Sequence, residues 1–277
     1  MKNTGTAHRR SGRRGFRERY GAWALVAGAS EGIGAAYSRA LAAREMNLFA
    51  VARREAPLER LADELRARFS IEVRCAAGDL GDRAFLESLS RSVSELDLGV
   101  VVYNAAVSPV GDFVDAGVAE LERALDVNVR GPVVLLRALL PTMARRGRGA
   151  VVLMSSLAGN QGSPRIATYA ATKGFTRVLA EGLWSELRPR GIDVLVCAAG
   201  AVRTPGYGAT AGRDAPGTLD PDDVAERALR ALGRGPVVVP GLVNRAAAAL
   251  MGRLLPQRTA IRIMSGSTSN LNQPEQR

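Results

Sequence analysis

Lysine is almost missing from this chain. Of thirty-eight basic residues only Lys2 and Lys173 are lysines; the other thirty-six are arginines. Histidine is scarcer still, with His8 near the start as the single example. A Ser-His-Asp triad and a multi-histidine zinc site are thereby excluded from the body that follows, and no metal is expected. Cysteine occurs twice, as Cys75 and Cys197. Both fall in strand-like stretches, so they are expected as small buried residues in a reducing, cytoplasmic compartment. No run reaches the roughly eighteen apolar residues that a membrane span needs. Aromatics make up only 5% of the chain, yet 47% of it is hydrophobic, so the core must be built from Ala, Val and Leu. Whatever chemistry occurs has to use Tyr, Lys, Ser, Asn or a cofactor.

The 277 residues suit one large domain or two small ones. Positive charge is concentrated at the front. Lys2, Arg9, Arg10, Arg13, Arg14, Arg17 and Arg19 against Glu18 place a net +6 in the first nineteen residues, and about +5 of the total +11 remains for the rest. Residues 1–21 read as a basic, unstructured tail that is simply solvated; contact with nucleic acid or an anionic membrane is the less favoured alternative. Arg13, Arg14 and Phe16 faintly resemble a twin-arginine export signal. The apolar run that would have to follow, residues 23–29, reads instead as the first strand, so export is not expected.

Beyond the tail, strand-length apolar runs alternate with helix-length periodic segments. Predicted strands are 24–27, 48–52, 72–76, 100–103, 150–154, 193–197 and 237–239. Most are continuous runs of Val, Leu and Ala, as a parallel sheet covered on both faces requires. Predicted helices are 33–45, 58–69, 83–94, 119–144, 168–188, 222–232 and 244–254. The order implies an α/β fold: a single-domain, Rossmann-type doubly wound parallel sheet with helices on both faces. The long helix 119–144 contains Asn128, Gly131 and Pro132. Proline breaks the local hydrogen bonding, so a bend or bulge is expected near Asn128, which either frees that side chain for use or merely lets it cap the break.

Gly28-Ala29-Ser30-Glu31-Gly32-Ile33-Gly34 joins the first strand to the first helix. Glycines there let the backbone approach a pyrophosphate, and the helix N-terminus favours its charge. The second strand ends Ala52-Arg53-Arg54. A carboxylate at that place suits a free ribose 2′-hydroxyl, whereas guanidinium suits a 2′-phosphate, so NADP(H) is favoured over NAD(H). Asp79, followed by Leu80 after the third strand, could accept from an adenine amino group. The one lysine inside the body, Lys173, lies four residues after Tyr169, and residues four apart share a helix face. Its compact ammonium suggests a task that a guanidinium cannot perform, with codon bias as the alternative.

With these pieces the chain resembles the short-chain dehydrogenase/reductase family over roughly residues 22–240. The family's T-G-x-x-x-G-x-G has Ala27 in place of threonine; its N-N-A-G appears as Tyr103-Asn104-Ala105-Ala106; its P-G motif appears as Ala199-Gly200, followed by Val202 and Thr204. Residues 31–37 and 102–105 are similar to the branch containing 3-oxoacyl and 17β-hydroxysteroid reductases. The resemblance implies Asn128, Ser156, Tyr169 and Lys173 as catalytic residues, the family spacing selecting Ser156 over Ser155. It implies cofactor contacts at Gly28, Ser30, Gly32, Ile33, Gly34, Arg53, Arg54, Asp79, Leu80, Asn104, Ala105, Tyr169, Lys173, Gly200, Val202 and Thr204.

The expected reaction moves hydride between nicotinamide and a ketone or secondary alcohol. Tyr169 is the acid/base, Lys173 lowers its pKa, and Ser156 holds the alkoxide. The resemblance adds that Lys173 holds the ribose hydroxyls and that Asn128 orders a water leading to it. Fatty acyl, polyketide, steroid and other secondary-metabolite ketones are all open as substrates, and a homodimer or homotetramer is expected. The alternative is a non-catalytic dinucleotide-binding sensor or scaffold with a nucleic-acid-binding arginine tail. The expected domain runs from 22 to 264, with a substrate lid at 203–219, a helical extension at 241–264 and a polar tail at 265–277.

Overall fold

The computed structural model describes residues 15–210, 214–268 and 271. Most of the expected N-terminal tail, including Lys2 and His8, part of the expected lid and most of the C-terminal tail lie outside the described residues.

The described residues begin with a short helix α1 over residues 15–20. Strands β1 (Trp23–Ala27), β2 (Asn47–Ala52) and β3 (Val73–Ala77) alternate with helices α2 (Gly32–Ala42), α3 (Glu55–Arg68) and α4 (Arg83–Ser92). After β4 (Leu98–Tyr103) come α5 (Val118–Leu125), a π-helical turn (Asp126–Arg130) and α6 (Gly131–Arg146). Then follow β5 (Gly149–Ser156), α7 (Ala167–Leu187), β6 (Ile192–Ala199), α8 (Pro205–Thr210), α9 (Pro221–Ala231) and β7 (Val237–Val238). After these come α10 (Leu242–Ala249), a π turn (Leu250–Leu254) and α11 (Gln257–Thr268).

All seven strands pair in parallel in the order β3-β2-β1-β4-β5-β6-β7. Side chains of a strand alternate between faces, and here both faces are covered. Ala24 and Val26 of β1 pack with Leu58, Leu61 and Leu65 of α3 and Val224, Ala228 and Leu229 of α9. Leu25 and Ala27 face the opposite way, toward Leu86 and Leu89 of α4, Leu135 and Leu139 of α6 and Ala180 of α7. That division explains why the strands read as unbroken apolar runs. The order of the strands reverses between β1 and β4, which opens a crevice at their C-terminal ends.

Several expectations change. The tail does not extend to residue 21: residues 15–20 are helical, Tyr20 is only 3% exposed, and its hydroxyl donates to Asp193 at 2.8 Å. The helix expected over 119–144 runs without a break over 118–146 and carries its expected bulge as the π turn, with Pro132 in the first turn of α6. The expected polar tail is helical as far as Thr268, and the expected lid carries the short helix α8. Cys197 is buried as expected, but Cys75 on edge strand β3 is only half-buried. No helix among the described residues is long and apolar enough to cross a membrane.

Tyr20 ties the front of the chain to the start of β6. Tyr20→Ala should cost about 3–5 kcal/mol as a lost core aromatic, whereas Tyr20→Phe should cost about 1 kcal/mol for the hydrogen bond. Urea denaturation checks both, and two equal losses would mean that the hydroxyl, and not the ring, anchors the segment.

Candidate active site

The crevice is built around a tight turn. Gly28 has φ +83, and its N–H and that of Ala29 donate to Val51 O at 2.8 and 2.9 Å. A Cβ on Gly34 would stand 1.8 Å from Gly28 O, so only glycine lets α2 start so close to the end of β1. Gly32 faces Thr204, whose Cγ2 would lie 2.9 Å from an added Cβ. Ser30 is half-buried at the rim, and Ile33 packs against the core. Glu31 precedes α2 without capping it and pairs with Arg54 at 2.7 Å; no acid stands in the first turn of the helix. Its N-terminus thus keeps the positive character that suits a phosphate.

Asn104 braces this turn. Its Nδ2 donates to Gly28 O at 2.9 Å, and the N–H groups of Asn104 and Ala105 both donate to Ala27 O at 2.9 Å. Arg53 and Arg54 are exposed at the end of β2, beyond the buried Ala52. Asp79 follows β3, with its carboxylate held by Arg123 and by Gly81 N–H. Burial raises its pKa, but Arg123 and Gly81 outweigh that, so the carboxyl stays below its ordinary value. Leu80 is buried.

The other wall joins β5 to α7. Ser155 and Ser156 end the strand and point to different places. Ser155 is buried and donates to Lys173 O at 2.7 Å, bracing the helix. Ser156 Oγ accepts from Ala158 N–H at 3.2 Å and faces the Tyr169 hydroxyl. Gly159, in the turn after β5, lies so near α7 that a Cβ would stand 2.7 Å from Gly174 N. Tyr169 and Lys173 share a face of α7, with Nζ 5.4 Å from the Tyr169 ring centre.

Lys173 is 4% exposed and donates to Met154 O at 2.8 Å. Burial pulls its pKa down from 10.5 to about 8. The expected lowering of the Tyr169 pKa by Lys173 does not appear in the protein alone. Burial pushes the phenol up, and Ser156 offsets that in part.

The expected bulge at Asn128 is the π turn. Asn128 is buried there; its Oδ1 accepts from Val107 N–H at 2.8 Å, and its Nδ2 donates to Val107 O at 2.7 Å and to Thr172 Oγ1 at 3.0 Å. The turn leaves Val127 O to accept from the Tyr103 hydroxyl at 2.7 Å. Gly200, just after β6, lies against Asn244, Val202 is buried and bridges to Leu219, and Thr204 Oγ1 accepts from Tyr207 N–H at 3.1 Å.

A family model described as short chain dehydrogenase matches residues 22–212, and so spans the sheet from β1 through β6, both crevice walls included. The chain belongs to the short-chain dehydrogenase family of oxidoreductases. Within that family it is 33% identical over 233 residues to a 7beta-hydroxysteroid dehydrogenase of Clostridium sardiniense, covering 83% of this chain and 89% of that one. It is 35% identical over 181 residues to a very-long-chain 3-oxoacyl-CoA reductase of Podospora anserina, covering 63% of this chain but only 53% of that protein. The steroid and oxoacyl branch read from residues 31–37 and 102–105 agrees with both. A solved short-chain dehydrogenase from Sphingobium yanoikuyae in complex with NADPH superposes with a TM-score of 0.74 at 31% identity, covering 84% of this chain and 96% of that one.

The sequence reading missed Thr172, Gly159 and Asn244. Asn244 is buried and donates to Gly217 O and Pro240 O, both at 3.0 Å, holding the chain beside Gly200. Its only signal was an asparagine among the alanines of the C-terminal extension. Gly159 gives a direct test of the contact between β5 and α7. Gly159→Ala should destabilise by about 1–3 kcal/mol through overpacking. Gly182→Ala, at an α7 position with nothing within 4 Å of the added Cβ, should stabilise by about 0.4–1 kcal/mol. Chemical denaturation of the two variants checks the contrast, and a neutral Gly159→Ala would contradict the close approach.

Proposed function

We propose that this short-chain dehydrogenase interconverts a bulky apolar ketone and its secondary alcohol with NADP(H), using Ser156, Tyr169 and Lys173. The observation that carries the reading is the convergence of a hydroxyl, a phenol and a buried ammonium beside the crevice where the strand order reverses. The nicotinamide, when bound, supplies or accepts the hydride. Gly28, Gly32 and Gly34 with the N-terminus of α2 would hold its pyrophosphate, and Arg53 and Arg54 would take a 2′-phosphate. Ser30, Ile33, Asp79, Leu80, Asn104, Ala105, Gly200, Val202 and Thr204 complete the expected cradle.

In reduction Tyr169 gives its proton to the carbonyl oxygen, and Ser156 donates a hydrogen bond to the same oxygen as negative charge develops. A raised phenol pKa keeps Tyr169 protonated, which suits the acid role. Oxidation needs phenolate, so added positive charge must bring the pKa down; Lys173 is the nearest protein source. Asn128 orders the water that leads to Lys173. The substrate class follows from the surroundings of Tyr169: Val110, Ala158, Ile166 and Ala170 form an apolar cluster with Met264 and Leu271 packed on it. The hydroxysteroid and oxoacyl relatives act on ligands of that kind by name. Exposed Val118, Leu125, Phe175 and Val178 on α5 and α7 support association into a homo-oligomer.

Tyr169→Phe should abolish ketone reduction while NADPH still binds, as read by cofactor fluorescence and by absorbance at the NADPH band. Lys173→Arg should also be severe, because a planar fork cannot take the place of the ammonium at Met154 O. Removing Arg53 and Arg54 together should raise KM for NADPH by about tenfold or more and leave KM for NADH within about twofold, as loss of a charge-assisted pair predicts. Near-normal turnover in Tyr169→Phe would overturn the assignment.

A further inference from the structure

Thr172 stands in α7 between Tyr169 and Lys173, and it is 2% exposed. A hydroxyl offers one hydrogen and two lone pairs. The hydrogen goes to Tyr169 O at 2.7 Å, and a lone pair takes Asn128 Nδ2 at 3.0 Å. Asn128 is itself fixed on both sides by Val107, through Oδ1 at 2.8 Å and Nδ2 at 2.7 Å. The result is an unbroken chain of hydrogen bonds. It runs from the loop after β4, through the π turn, to the backbone of Tyr169. A threonine that only satisfied itself on its own helix would need no partner from the π turn. Valine would fill the same space, so packing alone does not call for the oxygen.

We propose that Thr172 is a positioning residue that couples the π turn at Asn128 to Tyr169 and fixes the phenol against Ser156. The proposal rests on the oxidoreductase reading of this site. The helix contributes the axial position of Tyr169, but a rotation of α7 would carry the hydroxyl away from Ser156. Two contacts from different elements oppose that rotation. Ser155 holds Lys173 O from β5, and Thr172 is held by Asn128 from the π turn. Without the Thr172 hydroxyl one N–H of Asn128 is left buried without its acceptor, and the side chain must reorient. The groups facing the phenol are Ser156 and, 5.4 Å from the ring centre, Lys173 Nζ. Losing the Ser156 contact removes an influence that lowers the Tyr169 pKa, so the phenol moves further up.

The test compares the full-length protein with Thr172→Val and Thr172→Ser by two readouts. The first is steady-state ketone reduction. Thr172→Val should lower kcat by about tenfold or more, as small misplacements of reacting groups do, with KM for NADPH unchanged and Thr172→Ser near wild type. The second is titration of the Tyr169 phenol, followed by 13C NMR of labelled tyrosine and assigned with Tyr169→Phe. The midpoint should rise in Thr172→Val and return in Thr172→Ser. An unchanged midpoint in Thr172→Val overturns the proposal, even if that variant melts at a lower temperature. If the wild type reduces no ketone, the functional reading fails by itself, and the titration still decides whether Thr172 positions the phenol.

Discussion

The close contact between α7 and the end of β5 governs everything at the C-terminal edge of the sheet. Three interactions make it. Ser155 reaches from the strand to Lys173 O, Lys173 reaches back to Met154 O, and Gly159 lets the following turn approach Gly174 without a side chain between them. The first two are reciprocal: each element donates to a backbone carbonyl of the other. Because β5 lies inside the sheet between β4 and β6, its end is as fixed as the core. Tyr169 and Lys173 inherit that rigidity, and Ser156 emerges on the open side of the same junction. A site placed this way needs little reorganisation when a substrate arrives.

Charge follows a simple division of labour. Arginines form the surface pairs, such as Arg39 with Glu64, Arg44 with Glu226 and Arg146 with Asp97, where a planar fork meets a carboxylate. The ammonium goes inside, where it donates to Met154 O and, among the described residues, pairs with no carboxylate. A buried cation without a counter-ion is costly, and burial alone drives the Lys173 pKa downward. Under the proposed reaction that cost is useful, since a poorly solvated ammonium acts strongly on a nearby phenol and on the ribose hydroxyls of a bound nucleotide.

Much of this was legible in the sequence because it rests on local pattern. Unbroken Val and Ala runs gave the buried parallel strands, and the glycines at 28, 32 and 34 gave the turn before α2. Pro132 announced the bulge in the helix around Asn128. The choice of Ser156 over Ser155 came from family spacing; in the structure the two hydroxyls have different partners, Ser155 donating to Lys173 O and Ser156 accepting from Ala158 N–H. What stayed hidden depends on contacts across long stretches of chain. Thr172 looks like any helical threonine until Asn128 meets it from forty-four residues away. Asn104 was read as a cofactor contact, but its visible work is to brace Gly28. Residues 15–20 were read as tail because six positions dominated by charge show no period, and only Asp193 reveals Tyr20 as an anchor. Spacing likewise shows a neighbouring lysine but not the burial of the phenol, which in the protein alone raises the Tyr169 pKa.

The central claim is that Lys173 is a buried ammonium held by the junction of β5 and α7. Its pKa, lowered from 10.5 to about 8, fixes the sign of the linked stability. Below pH 8 folded and unfolded chains both carry the proton, and the full cost of burial is present. From 8 toward 10.5 the folded protein gives it up first, and stability rises. Because the chain has only two lysines, 15N NMR of lysine-labelled protein resolves the question directly. One side-chain resonance should titrate near 8, well below the ordinary value of about 10.4. Two resonances titrating together near that ordinary value would contradict the account.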